Sequence, residues 1–119
     1  MSAARRSSLG DRRTLRARAP VFAALGDETR LALVARLSSG APRSIAQLTE
    51  GSELTRQAIS KHLRVLEGAG LVHCSRHGRE SRYELDPRSL ESARRFLEEV
   101  SAQWDQALAR LKAFVEDGS

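Results

Sequence analysis

Gln57, Ser60, Lys61 and Arg64 stand at i, i+3, i+4 and i+7 in the stretch TRQAISKHLRVLEGAGLV, residues 55–72. On a helix these four form one stripe of amide, hydroxyl and cationic donors, with no carboxylate among them. Ile59, Leu63 and Leu66, at i, i+4 and i+7, form an apolar stripe on another side. Such a helix buries one face and offers the other as a row of hydrogen-bonding groups. A side-chain amide fits the edge of adenine, and a guanidinium or ammonium fits guanine O6 and N7. Hydroxyls serve phosphate or base. His73, Cys74 and His77 lie within a five-residue run, HCSRH, and invite a metal. Adjacent strand residues point to opposite faces, however, and Cys74 shares its parity with Val72, so a buried thiol is expected. His62, near the donor stripe, is expected to bond phosphate or a neighbouring helix. The sequence contains no glycine-rich phosphate loop, metal motif or spaced nucleophile and base. It therefore reads as a non-enzyme that needs no cofactor.

The charge distribution supports an anionic partner. The chain has 119 residues and a formal net charge of +5, unevenly spread. Residues 1–19 carry six arginines and one aspartate, and residues 55–82 carry six basic and two acidic groups. Residues 83–119 are net acidic, with five basic and eight acidic groups. A localised basic surface suits nucleic acid, although a solubilising surface has the same composition. One cysteine excludes an internal disulfide. No run approaches the length of a membrane span, and the N-terminus lacks the apolar core of a secretory signal. A soluble cytoplasmic protein is the expectation.

Several elements must hold the donor stripe in place. Residues 1–19 are too charged and too poor in apolar groups to pack, and are expected to be a disordered basic tail. Order is expected over 20–117. Pro20 suits a first helical turn, PVFAAL, ended by Gly26. Asp27 can cap a second helix with Leu31, Val34, Ala35 and Leu37 inward. Ser44 and Gln47 fit a capping box for a short third helix burying Ile45 and Leu48. Thr55 caps the fourth. The period then changes to two around RHGRES, which predicts a β-hairpin with a basic loop. Asp86-Pro87 opens a last helix. There Leu90, Leu97, Trp104 and Leu111 are spaced by seven, and Ala93, Val100, Ala107 and Phe114 follow three later. These are a and d positions over four heptads, and the narrow seam asks for a helix from a second copy.

The order of elements is that of a helix-turn-helix followed by a wing. LGDETRLALVARL, SIAQLTEGSELTRQAISKHLRVLEGAGLV and GRESRYELDP resemble successive parts of the ArsR family of winged-helix repressors. The resemblance covers about residues 20–115. It implies a mainly α fold with a small β-hairpin wing, and a homodimer built from the first and last helices. Val21, Phe22, Leu90, Leu97, Val100, Trp104, Leu111 and Phe114 would then line the dimer interface. It also implies that the fourth helix enters the major groove of double-stranded DNA while the wing reaches the backbone. A recognition helix contacts bases mainly near its N-terminal end. Arg56, Gln57, Ser60 and Lys61 are therefore expected in the groove, with Thr55 shared between cap and phosphate. His62 and Arg64 would lie nearer the backbone. At the wing, Arg79 and Arg82 are better placed than Arg76. Metal sensors of the family use Cys on the third helix, or Asp and His on the last. Here SIAQLTE has neither Cys nor His, and residues 87–119 have no His, so no metal is expected. A homodimeric repressor on an inverted repeat follows, with its small-molecule effector open. Two other readings stay open: a winged-helix protein-interaction module, and a repressor gated by oxidation of Cys74.

Overall fold

The structure, a computed structural model, describes residues 10–118. In chain order the elements are α1 (Arg12–Leu25), α2 (Glu28–Leu37), β1 (Arg43–Ser44), α3 (Ile45–Thr49), α4 (Arg56–Gly68), β2 (Val72–His77), β3 (Glu80–Leu85) and α5 (Pro87–Gly118). The three strands form one antiparallel sheet in the order β1-β3-β2. This is a winged helix-turn-helix: α3 and α4 form the helix-turn-helix, and β2 and β3 form the wing.

Local side chains set the helix boundaries. Asp27 Oδ2 accepts from the Arg30 amide at 3.0 Å and starts α2. Ser44 Oγ accepts from the Gln47 amide at 3.1 Å while Gln47 Oε1 accepts from the Ser44 amide at 2.8 Å. That reciprocal pair is the expected capping box, and it lets a helix of five residues form. Thr55 Oγ1 accepts from the Ala58 amide at 3.1 Å and starts α4. The other end of α4 is closed when the Leu71 amide donates to Leu66 O and the Gly70 amide to Glu67 O, both at 2.9 Å. This closure needs Gly70 at φ +78°, where a side chain would be strained.

Four expectations are corrected. The first helix begins at Arg12, not at Pro20, so the disorder expected over 1–19 does not hold for 12–19. Asp11 caps it by accepting from the Arg13 amide at 2.9 Å, and Pro20 is carried inside the helix. The rest of the expected tail, residues 1–9, lies outside the described residues. A third strand, β1, joins the hairpin; two residues are too few to show a period. On α2, Leu33 and Leu37 are buried, while Leu31 and Ala35 are exposed. The inward register there is shared by Arg30, whose Nε donates to Ala24 O at 2.6 Å. Finally, Cys74 is exposed, although it is paired with the buried Tyr83. Cys74 lies on the edge strand β2 and Tyr83 on the central strand β3, so of two paired residues on the same face only the central one is covered.

The core is one cluster of Ala24, Leu33, Leu37, Leu48, Ile59, Leu63, Leu66, Leu71, Val72 and Tyr83. Burial raises the pKa of the Tyr83 phenol, and the Cys74 thiol beside it adds to the effect. Leu63 is 0 % exposed and comes from the middle of α4. Leu63→Ala is expected to cost about 2–5 kcal/mol, the range for emptying a packed leucine site. Urea denaturation at fixed protein concentration checks this, with a lowered midpoint and an unchanged slope.

Candidate nucleic-acid interface

With Ile59, Leu63 and Leu66 buried, the rotation of α4 about its axis is fixed. Thr55, Gln57, Ala58, Ser60, Lys61 and Arg64 line one open surface on its far side. Thr55, Gln57, Lys61 and Arg64 are exposed and Ser60 is half-buried. Five residues expected at DNA are thus brought together. Arg56 is exposed in the first turn of α4 and is not among the residues lining this surface. It flanks the stripe at its N-terminal end.

His62 turns away from the stripe. Its Nδ1 lies 3.3 Å from Arg30 Nη1 and 3.8 Å from Asp27 Oδ2, in a half-buried corner where α4 meets the start of α2. Of its two expected partners, phosphate and a neighbouring helix, the geometry gives the helix. His62 therefore leaves the DNA-facing set. The amide of Arg30 holds the Asp27 carboxyl below its ordinary 3.8, and the charges of Arg30 and His62 add to the shift.

The wing is tighter than expected. The strands run to His77 and from Glu80, so Gly78 and Arg79 alone make the turn. Gly78 has φ +68°, as the first central residue of a type II′ turn requires. Arg79 is exposed at the tip and Arg76 is exposed on β2. Arg82 is less available, because its Nε donates to Glu80 Oε1 at 2.7 Å. That pair is solvent-exposed on both sides and can open toward a phosphate at little cost.

His73 Nε2 lies 2.9 Å from Glu84 Oε1, and His77 Nε2 lies 3.0 Å from Ser75 Oγ. Both are on the face of the hairpin opposite Cys74. Among the described residues, no group of three or more His, Cys, Asp or Glu could hold a metal ion.

Two residues overlooked in the sequence tie neighbouring helices to α2, and both are arginines of α2. Arg36 donates from Nη1 to Leu48 O at 2.5 Å and from Nη2 to Gln47 O at 2.8 Å, at the end of α3. Arg30 does the same for Ala24 O at the end of α1. Cations belong at helix C-termini, where carbonyls lack partners. The sequence signal was present, as arginine at i and i+6 on a capped helix, but each partner carbonyl lies on another helix.

The last helix, α5, is 32 residues long, about 48 Å. Ala93 is buried, and Leu90 and Val21 pack on the protomer's own core. Phe22 meets Phe96 with ring centroids 5.6 Å apart. Val100 is half-buried. Leu97, just before it, is exposed, and beyond it the seam is bare: Trp104 is 64 % and Phe114 74 % exposed, and Leu111 is exposed as well. No helix among the described residues is long and apolar enough to cross a membrane.

Comparison with known proteins agrees with this geometry. A family described as a helix-turn-helix domain matches residues 25–75. The HTH-type transcriptional regulator Rv2034 of Mycobacterium tuberculosis is 39 % identical over 85 residues, covering 71 % of this chain and 76 % of that protein. The solved structure of an ArsR-like transcriptional regulator from Rhodococcus sp. RHA1 is 40 % identical, with a TM-score of 0.75. It covers 87 % of this chain and 94 % of that one. The homodimeric winged helix-turn-helix DNA-binding domain of Mb0332 from Mycobacterium bovis is 25 % identical, with a TM-score of 0.60. It covers 85 % of this chain and 92 % of that one.

The corner of Asp27, Arg30 and His62 has a pH signature. Because the Asp27 carboxyl is held below its ordinary value, the stability it contributes is complete above that value and is lost as pH falls through the lowered one. Asp27→Asn is expected to flatten the acid limb of a stability-against-pH curve. His62→Ala is expected to lower the melting temperature and leave the salt dependence of DNA binding unchanged.

Proposed function

Because the chain belongs to the ArsR family of winged helix-turn-helix transcriptional regulators, we propose that it is a homodimeric repressor that binds an inverted-repeat operator and occludes a promoter. Membership of the family makes it a DNA-binding regulator. The finer reading rests on one observation, the carboxylate-free stripe of Gln57, Ser60, Lys61 and Arg64, free on the face of α4 opposite the buried leucines.

In this reading α4 lies in the major groove. Gln57 reads adenine, Lys61 reads guanine, and Ser60 serves a base or a phosphate. Thr55 is used by its own helix as the cap and can still accept or donate once at the groove edge. Arg56 and Arg64 hold the flanking backbone, and Arg79 at the wing tip, joined by Arg82, takes the next phosphates. The bare seam of Leu97, Trp104, Leu111 and Phe114 is covered by the α5 of a second copy, and Val21, Phe22, Leu90 and Val100 form the edge of that contact. A two-fold dimer spaces the two α4 helices about one turn of DNA apart, ~34 Å. The protein would act in the cytoplasm, with the DNA.

Fluorescence anisotropy tests this, with a duplex from upstream of the chain's own gene against a scrambled duplex of equal length. At physiological salt the upstream duplex is expected to bind at least ~10³-fold tighter. Equal binding that collapses with added salt would contradict the reading. Gln57→Ala is expected to lose about 1–3 kcal/mol of discrimination at one base pair per half-site. Arg79→Ala is expected to weaken all sequences alike and to reduce the salt slope by about 0.9 per copy. Trp104→Glu lies on the exposed seam, so it is expected to leave the protomer's circular dichroism unchanged. It should weaken dimerisation at least tenfold by sedimentation.

A further inference from the structure

Arg18 has no task in DNA reading. It sits half-buried on α1, and its Nη1 donates to Ser92 Oγ on α5. Its Nε is buried and has no partner. Among the described residues no carboxylate pairs with it. A buried donor left unmet is costly, and one on a guanidinium more so. Around it is a cleft of about 450 Å³ whose polar lining is Arg18, Asp86, Arg88, Ser89 and Ser92, with Val21 and Ala69 beside them. A second hollow shares Arg18, Arg88 and Ser92 with it and adds Glu91 and Arg95.

The lining has the chemistry of an anion site. Arg88 is loosely held: its side chain is 91 % exposed, and its contacts with Asp86 are both 3.4 Å. It can turn inward. Arg95 lies 3.5 Å from Glu91, but Glu91 is already engaged by Arg94 at 2.5 and 2.9 Å. Two guanidinium groups, Arg18 and Arg88, and two serine hydroxyls thus line a cleft of small-molecule size beside the Asp86 carboxylate, and the neighbouring hollow brings a third guanidinium, Arg95. Planar guanidinium forks with hydroxyls suit the oxygens of a phosphate group.

The position excludes the operator as the source of that phosphate. Ala69 lines the cleft, and it is the C-cap of α4. The base-reading end at Thr55 is a helix of 13 residues away, about 20 Å. The cleft instead touches the three helices that regulation would have to couple: α1 and α5, which carry the dimer seam, and α4. We propose that this cleft binds a phosphate-bearing small molecule, which acts as the regulator's effector. The binding site stands on its own, whereas the effector role rests on the DNA-binding reading above.

The test is a titration of the full chain with inorganic phosphate against sodium chloride at equal ionic strength, followed by thermal unfolding and by amide NMR. Phosphate is expected to raise the melting temperature and to shift the amides of Ser89 and Ser92. Arg18→Met is expected to weaken phosphate binding at least tenfold. Ser92→Ala, which removes only a hydroxyl, should weaken it less and keeps the test open if the first variant does not fold. Equal effects of phosphate and chloride, or unchanged binding in both variants, overturn the site. So does loss of self-association in Arg18→Met with no phosphate response in either chain, because Arg18 would then pair with a carboxylate of the second copy. This titration needs no DNA, so failure of the regulator reading leaves it interpretable. In a second arm, phosphate is expected to change duplex affinity at least threefold in the wild-type chain and not in Arg18→Met. Wild-type binding of phosphate with no change in duplex affinity overturns the effector role.

Discussion

Burial of Ile59, Leu63 and Leu66 against the body is the constraint on which the rest of the molecule depends. A slip of α4 by one residue would turn it by roughly 100°, carry the donor stripe off its face and bury a polar group. Both ends of the helix are pinned as well. Thr55 closes the front, and Gly70, at a positive φ, lets Leu71 close the back. With rotation and length both fixed, the polar side chains of α4 present a rigid pattern, which reading a base sequence requires.

The arginines divide between holding this frame and remaining free. Arg30 and Arg36 lie inward on α2 and donate to carbonyls at the ends of α1 and α3. Arg36 keeps the short α3, only five residues long, in place, and Arg30 ties the end of α1 to α2. Arg79 and Arg64 are exposed and have no carboxylate partner among the described residues. The basic character of residues 55–82 is thus a surface property, whereas the arginines of α2 are interior fasteners. Net charge alone does not separate the two roles; the separation comes from which carbonyls are left unmet where helices end.

Much of this was legible in the residues because it is local. The capping box at Ser44 and Gln47, the caps at Asp27 and Thr55, and the buried stripe of α4 each depend on side chains within seven positions of one another. The long seam of α5 was legible for the same reason. What stayed hidden depends on distant partners. Helix α1 runs back to Arg12 with Asp11 as its cap, and Arg18 bonds Ser92 from 74 positions away. Strand β1 exists only because β3 pairs with it. Cys74 has inner parity but is exposed, since alternation says which face a residue takes and not whether the face is covered. His62 looked like part of the donor stripe by proximity in sequence. Its tie to Asp27 and Arg30 depends on the packing of α2.

In the proposed reading the bare half of α5 and the free stripe of α4 work together, because one short helix reads too few base pairs to single out an operator. The most direct test of that union is selection from random 30-base-pair duplexes on the immobilised full chain at physiological salt, followed by sequencing. Two copies joined along α5 should enrich an inverted repeat whose half-sites are centred about 10–10.5 base pairs apart, or a multiple of that spacing. Enrichment of a single unpaired half-site, or of no motif at all, would contradict a dimer that reads DNA through α4.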